Sequence, residues 1–409
     1  MFSSPYLHLK ETPNPQRYLI ATFYLESKLS LEEAASEVAA ESSVGTWTQL
    51  KTLEEKVLER LGARVFQINK KEKIVKIAYP LELFELGNIV QLFSVLAGNI
   101  YSMRILDNLR LLDIKFPVKY LRSFPGPEFG LKGVRKILRV ENGPLVGAIM
   151  KPKAGLTSQE NAVLAGSLWQ NGIDIVKDDE NLTDLPFNRF KDRVKRVLVK
   201  QQEVEKKLKK KKIYVFNVSG SAEVMIERAK LVKKEGGKCV MIDIIACGLD
   251  NVLSLRKQKL NLIIHGHRAG HSLFTRNPKH GVSMLVIAKL ARLAGVDQLH
   301  TGTVVGKMEG EKEEVLKNNK AITREWYGLK PVMPIASGGL HPALAEKLVK
   351  ILGQDLIINF GGGLHGHPNG SVAGAKACQQ AIEAIRQGIK VREMAKKHNE
   401  LKVALKYWR

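Results

Sequence analysis

Cysteine is scarce in this 409-residue chain: Cys239, Cys247 and Cys378 are an odd set without metal-ligand spacing. Their scarcity excludes a disulfide framework and a thiolate zinc site, and points to a reducing, cytoplasmic setting. Long apolar runs are missing too. No stretch approaches the roughly 20 residues that a membrane-crossing helix needs, and residues 1–17 have neither the basic start nor the apolar centre of a secretory leader. Acidic residues are in deficit, 41 against 65 Lys and Arg, which leaves a formal charge of +24. Such an excess raises nucleic-acid binding as a reading. Against it, the densest basic run, Lys206-Lys207-Leu208-Lys209-Lys210-Lys211-Lys212, has no interleaved aromatics and closes a helical stretch, where cations suit the helix dipole. We expect a soluble protein with no nucleic-acid and no membrane partner, its charge suited to an anionic substrate.

What is present is apolar residue, 44% of the chain, enough for a large core and about two or three domains. Residues 17–25 read as a strand, and Ser30-x-x-Glu33 offers a capping box for a helix running to Ala40. A polar loop carrying Trp47 follows, then strands at 64–69 and 73–79, a helix over 83–97 and a strand at 110–116. This predicts a small α+β, ferredoxin-like domain over 1–124, bounded by Phe124-Pro125-Gly126-Pro127. Beyond it the pattern changes. Apolar strands at 146–150, 173–177, 213–218, 240–244, 262–265, 298–301, 332–336 and 356–360 alternate with helical stretches, predicting a (β/α)8 TIM barrel over 125–409 with a C-terminal helical extension. A doubly wound sheet is the runner-up, weakened by the lack of a G-x-G-x-x-G after the first of these strands.

Barrel enzymes place their chemistry at the C-terminal strand ends. The second such strand ends in Lys177-Asp178-Asp179-Glu180, four ionisable groups at the rim of a core. They form either a structural salt-bridge cluster or a site for a hard divalent cation such as Mg²⁺. For the second reading Asp179 and Glu180 supply two oxygens, and a deprotonated Lys177 that takes up CO₂ as a carbamate supplies a third. The other ends carry Lys151-Pro152-Lys153, His267-Arg268, His300-Thr301-Gly302, Ser337-Gly338-Gly339 and Gly361-Gly362-Gly363. The last two glycine loops occupy the usual barrel phosphate position, and Arg268 and His300 add donors elsewhere on the rim. Two separated phosphate sites with a metal between them fit this set.

These strings, with Gly172-x-Asp174-x-x-Lys177-Asp178-Asp179-Glu180-Asn181, His300-Thr301-Gly302-Thr303-Val304-Val305-Gly306-Lys307, Glu41-Ser42-Ser43-x-Gly45-Thr46-Trp47-Thr48 and Gly98-Asn99, resemble the large subunit of ribulose-1,5-bisphosphate carboxylase/oxygenase (RuBisCO). The short length, Phe274-Thr275-Arg276-Asn277-Pro278 and the terminal segment 401–408 look most like the archaeal form III enzymes. The resemblance implies ribulose 1,5-bisphosphate, CO₂ and O₂ as substrates. It implies Mg²⁺ held by carbamylated Lys177, Asp179 and Glu180, with the carbamate removing the C3 proton. Lys151 would be the final proton donor, Lys153 would assist near the metal, and His267 would move protons during hydration. Lys307, on a closing loop, would pair with the new carboxylate. Arg268 and His300 would bind one phosphate; Ser337, Gly338, Gly339, Gly361 and Gly362, with Thr46 and Trp47, would bind the other. Glu41, Thr46, Trp47 and Asn99 would reach a neighbouring subunit's barrel, which implies a homodimer or an assembly of dimers. Ile149 and Gly270 replace a threonine and a methionine of the plant pattern. A RuBisCO-like enolase or isomerase of sulfur salvage is the alternative, and a non-catalytic basic binding protein a remote one.

Overall fold

The computed structural model describes residues 3–306 and 312–408. The first strand, Tyr18–Ser27 (β1), buries alternate side chains, as its period-two pattern requires of a sheet covered on one face. Helix Leu31–Glu41 follows, and its capping box is formed: Glu33 N–H donates to Ser30 Oγ at 3.3 Å while Ser30 N–H donates to Glu33 Oε2 at 3.0 Å. Strands Arg64–Asn69 (β2), Ile74–Pro80 (β3) and Leu106–Lys115 (β4) complete an antiparallel sheet in the order β4-β1-β3-β2. With helices between β1 and β2 and between β3 and β4, this is the ferredoxin-like arrangement. The helix expected over 83–97 is shorter. It spans Ile89–Ala97, because the chain turns through Gly87 at φ +79° and Asn88 then caps the helix by accepting from Gln91 N–H.

Eight parallel strands close the barrel: Leu145–Ile149 (β5), Ile175–Lys177 (β6), Ile213–Asn217 (β7), Cys239–Asp243 (β8), Ile263–His267 (β9) and, beyond the two-residue strand Gly281–Val282 (β10), Gln298–His300 (β11), Met333–Ser337 (β12) and Ile357–Phe360 (β13). β11 pairs with β9 and β13 with β5, so no edge is left open. At the N-terminal ends of the strands, helix Gly130–Leu138 packs Val134 and Leu138 against an apolar layer that includes Leu145, Ile213, Met241 and Ile357. Buried Asp297 fastens the start of this helix, accepting from Phe129 N–H, Gly130 N–H and Ile264 N–H and from Arg256 Nη2 at 2.5 Å. The basic run closes helix Phe190–Leu208, with Lys209 left-handed at its cap. Helices Val391–Lys397 and Asn399–Tyr407 form the C-terminal extension.

By its contacts the chain divides into Met1–Pro125 with Gly270–Ala294, and Gly126–Ala269 with Gly295–Arg409. A single cut at 124/125 leaves no place for the 270–294 excursion, which supplies β10 in parallel to β4 as a fifth strand of the first sheet. Helix Met284–Ala294 holds it there through Lys289, which donates to Asp113 and to the Ile114 carbonyl. Among the described residues no helix is long and apolar enough to cross a membrane.

Candidate active site

Strand alternation divides the four charges at the end of β6. Asp178 turns into the protein and is fully satisfied there: Arg193 Nε lies at 3.1 Å, Tyr214 O–H donates at 2.6 Å and Asn217 N–H at 3.0 Å. Arg193 spends its other donors on Thr183 and Asn188. Asp178 is therefore an anchor. Lys177 is equally buried, yet its Nζ donates only to the Asp178 carbonyl at 2.8 Å among the described residues. Burial pushes its pKa down, against the upward pull of Glu180, Asp179, Asp243 and Asp178. An amine so placed has the neutral, nucleophilic form within reach.

Asp179 accepts from Lys151 Nζ at 2.5 Å and from the backbone and side chain of Asn181. Burial raises its carboxyl pKa, but the hydrogen bond and charge of Lys151 outweigh that and hold it below the ordinary range. Glu180 faces His267 Nε2 at 3.8 Å, and His267 Nδ1 lies 2.9 Å from Asp243 Oδ1. Lys153 is exposed beside Lys151. The loop after β13 lies against this group, since a Cβ on Gly361 would sit 3.7 Å from both Lys151 Cε and Ile149 Cδ1, while one on Gly362 would meet nothing within 4 Å. After β12, Gly338 and Gly339 have φ of +109° and +69°, which lets the loop turn without a side chain in the way.

On the next strands His300 lies buried, its Nδ1 2.8 Å from Ser337 Oγ and its Nε2 2.8 Å from His265 Nε2. The resemblance gives His300 and Ser337 to different phosphates; here they touch. Arg268 donates to the Thr301 carbonyl at 3.3 Å, and burial pushes its pKa down to about 10 against the pull of Glu314. Lys307 lies outside the described residues. In the first unit Glu41 ends a helix, Asn99 opens the turn Asn99–Ser102, and Thr46 and Trp47 line a cavity of about 420 Å³ with Tyr6 and Glu37. Trp47 is 84% exposed, a large apolar face left to solvent.

Sequence reasoning passed over Asp243, although it closes an apolar strand just as the β6 carboxylates do. It gave no role in the site to His265, Gln298 or Ser219, the last donating to Asp243 Oδ2 at 3.4 Å. Among the described residues no three of His, Cys, Asp and Glu are grouped to hold a metal; Asp179 and Glu180 offer a hard divalent ion two carboxylates, to which a further anionic oxygen would add. Lys177 stands next to them in the chain.

The ribulose bisphosphate carboxylase large-chain family models match twice, the N-terminal domain over residues 6–120 and the catalytic domain over 130–408. The chain belongs to the RuBisCO large-chain family. It is 48% identical to the ribulose bisphosphate carboxylase of Pyrococcus furiosus over 407 residues, covering 98% of this chain and 97% of that one. Among solved structures, the octameric RuBisCO of Pyrococcus horikoshii, crystallised with sulfate, superposes with a TM-score of 0.94 at 47% identity, covering 98% and 96% of the two chains. The dimeric archaeal RuBisCO of Hyperthermus butylicus gives 0.91 at 40% identity, covering 98% of each. The archaeal RuBisCOs are thus similar to this chain over nearly its full length, and RuBisCO family members generally use Mg²⁺ and a carbamylated lysine.

Proposed function

We propose that the mouth of this barrel converts ribulose 1,5-bisphosphate and CO₂ to two molecules of 3-phosphoglycerate through a carbamate on Lys177, with O₂ as the competing gas. Ribulose bisphosphate carboxylase activity, a carboxy-lyase reaction that fixes CO₂, follows from membership of the archaeal branch of the family. The observation that carries the chemical detail is the buried Lys177 amine, its pKa pushed down by burial, next to the carboxylates of Asp179 and Glu180. Its neutral nitrogen attacks the carbon of CO₂, forms an N–C bond and loses a proton. The product is an anionic oxygen donor beside those of Asp179 and Glu180.

Bound there, Mg²⁺ would supply Lewis-acid polarisation of the sugar oxygens and hold developing negative charge. The C3 proton of the bisphosphate passes to the Lys177 side chain, leaving an enediol whose C2 bonds to CO₂. His267 is held by Asp243 through Nδ1, so its Nε2 is the atom that exchanges protons as water adds to the C3 ketone. C2–C3 cleavage releases one 3-phosphoglycerate and leaves a carbanion on the other fragment. Lys151, the ammonium that here rests on Asp179, protonates it, and Lys153 assists near the metal. Lys307 pairs with the new carboxylate. Arg268 holds one phosphate, with His300, whose ring nitrogens are engaged by His265 and Ser337, beside it. Ser337, Gly338, Gly339, Gly361 and Gly362 receive the other, completed by Thr46 and Trp47. With Glu41 and Asn99 these last two reach the barrel of a second copy, which accounts for an aromatic as exposed as Trp47. A homodimer is the smallest complete unit.

Purified protein given Mg²⁺, ribulose 1,5-bisphosphate and labelled CO₂ should form labelled 3-phosphoglycerate. Exchange of the C3 proton without that product would instead mark an enolase. Glu41→Gln and Lys177→Ala chains, each inactive alone, should regain activity when mixed, since one site of the mixed dimer carries neither change. No recovery in a mixture shown by mass measurement to contain mixed dimers would refute the shared site.

A further inference from the structure

Gln298, His265, His300 and Ser337 form a hydrogen-bonded row across β9, β11 and β12, the first three of them buried. His265 Nδ1 lies 2.9 Å from the Gln298 side-chain amide, His265 Nε2 lies 2.8 Å from His300 Nε2, and His300 Nδ1 lies 2.8 Å from Ser337 Oγ. Burial holds both imidazoles well below the ordinary histidine pKa, so each ring carries a single proton. Two ring nitrogens at that distance share one proton: with two the hydrogens collide, and with none the lone pairs repel. The whole row therefore has two states, with the same heavy-atom positions in both.

In one state the Gln298 oxygen accepts from His265 Nδ1–H, His300 Nε2–H donates to His265, and Ser337 donates to His300 Nδ1. The serine then turns lone pairs outward. In the other the amide is rotated by half a turn, so its nitrogen donates to His265 Nδ1, His265 Nε2–H donates to His300, and His300 Nδ1–H donates to Ser337. The serine proton is then free. Two observations select the second state. With its oxygen toward His265, Gln298 leaves a buried Nε2 with no partner among the described residues, and rotation gives that N–H₂ an acceptor; a buried carbonyl left short is the more tolerable orphan. The row also ends in a mouth where the Arg268 guanidinium bears on His300. A substrate oxygen drawn there is negatively charged, and it is met well by an O–H donor and badly by a lone pair.

We infer that Gln298 is a positioning residue which, through His265 and His300, aims the Ser337 hydroxyl proton at the bisphosphate. The inference rests on the reading of Ser337 as a substrate-facing group. Neutron diffraction from deuterated crystals grown with inorganic phosphate should show deuterium on the Gln298 atom facing His265, on His265 Nε2, on His300 Nδ1 and on Ser337 Oγ pointing away from His300. Deuterium on His265 Nδ1 and His300 Nε2, with the serine deuterium on His300, overturns it. Gln298→Met keeps the volume and removes the donor, so KM for ribulose bisphosphate should rise by about threefold to tenfold while kcat changes by less than about twofold. A thermal melt establishes that this variant is folded; an unchanged KM in folded protein overturns the inference. Ser337→Ala separates the layers. If it raises KM and Gln298→Met does not, the positioning role alone fails, whereas if Ser337→Ala leaves KM unchanged, the substrate-facing reading fails and takes the inference with it.

Discussion

The eight strands that present Lys177, Asp179 and Glu180 at one end of the barrel enclose, at the other, an apolar layer under helix Gly130–Leu138. Both ends contain a buried carboxylate beside a cation, and the two pairs differ in how completely they are bonded. Asp297 receives three backbone N–H groups besides Arg256, and Arg256 in turn reaches Glu128 and the Gly295 carbonyl. Every demand there is met. At the mouth the buried Lys177 amine has one carbonyl partner among the described residues, and Asp179 takes Lys151 as its cation. A buried charge that is fully bonded fixes the fold; one left short stores reactivity.

Lys177→Met should give the largest effect. Turnover should fall by more than about a thousandfold, because no base or third oxygen donor remains, while the folded state is no less stable and by the behaviour of buried charges more so. A labelled-CO₂ assay beside a denaturant titration measures both, and a marked loss of stability would show that Lys177 belongs with the anchors. Asp297→Ala should do the reverse, costing about 3–5 kcal/mol of stability by leaving three buried backbone donors unpaired and taking one of its two carboxylates from Arg256. Activity per folded molecule should stay near that of the parent chain; loss of activity in fully folded protein would dissolve the division between the two ends.

Lys307→Ala refines the comparison on the side of the mouth. At saturating substrate it should still exchange the C3 proton of ribulose bisphosphate with solvent while forming almost no 3-phosphoglycerate, since an ammonium there matters most once a carboxylate has appeared. Equal loss of both steps would assign it to substrate binding or enolisation. A smaller effect concerns His265 and His300, which burial keeps neutral. The unfolded chain binds protons at these residues from about pH 6.5 downward and the folded chain does not. Stability is thus complete above that pH and falls as the solution is acidified, by about 1 kcal/mol per histidine per pH unit. In His265→Leu the acid-side slope between pH 6.5 and 5 should be shallower, and an identical slope would remove that residue as a source.

The base and the mouth were not equally legible. Most of the barrel strands are short buried runs rich in apolar residues, as in Leu145–Ile149 and Ile213–Asn217, so their existence and their charged ends can be read without the fold. The partners that tune those ends are single polar residues inside or closing such runs, and nothing local distinguishes His265 or Gln298 from a satisfied core side chain. Asp243 had a signal, the carboxylate closing Cys-Val-Met-Ile, which the rule about strand ends would have caught. The helix expected over 83–97 misled because Leu and Phe recur at helical spacing across Gly87 and Asn88, and the positive φ that breaks it leaves no mark on periodicity. The role of Asp178 depended on alternation alone, and a pattern that puts residues on opposite faces does not say which face is the core.

The strand Gly281–Val282 has a consequence for how the chain is made. It occupies the edge of β4, but it leaves the ribosome about 170 residues after the rest of that sheet. At roughly 5–20 residues per second, the first unit waits on the order of 10–30 s with its β4 edge unpaired. During translation this edge is a place for another nascent chain to add a strand. Ribosome-stalled chains ending before residue 281 should therefore show an Arg110–Leu111 segment open to hydrogen exchange, and chains released after residue 294 should not. The sequence order of one two-residue strand thus sets when the first sheet stops being a hazard to its neighbours.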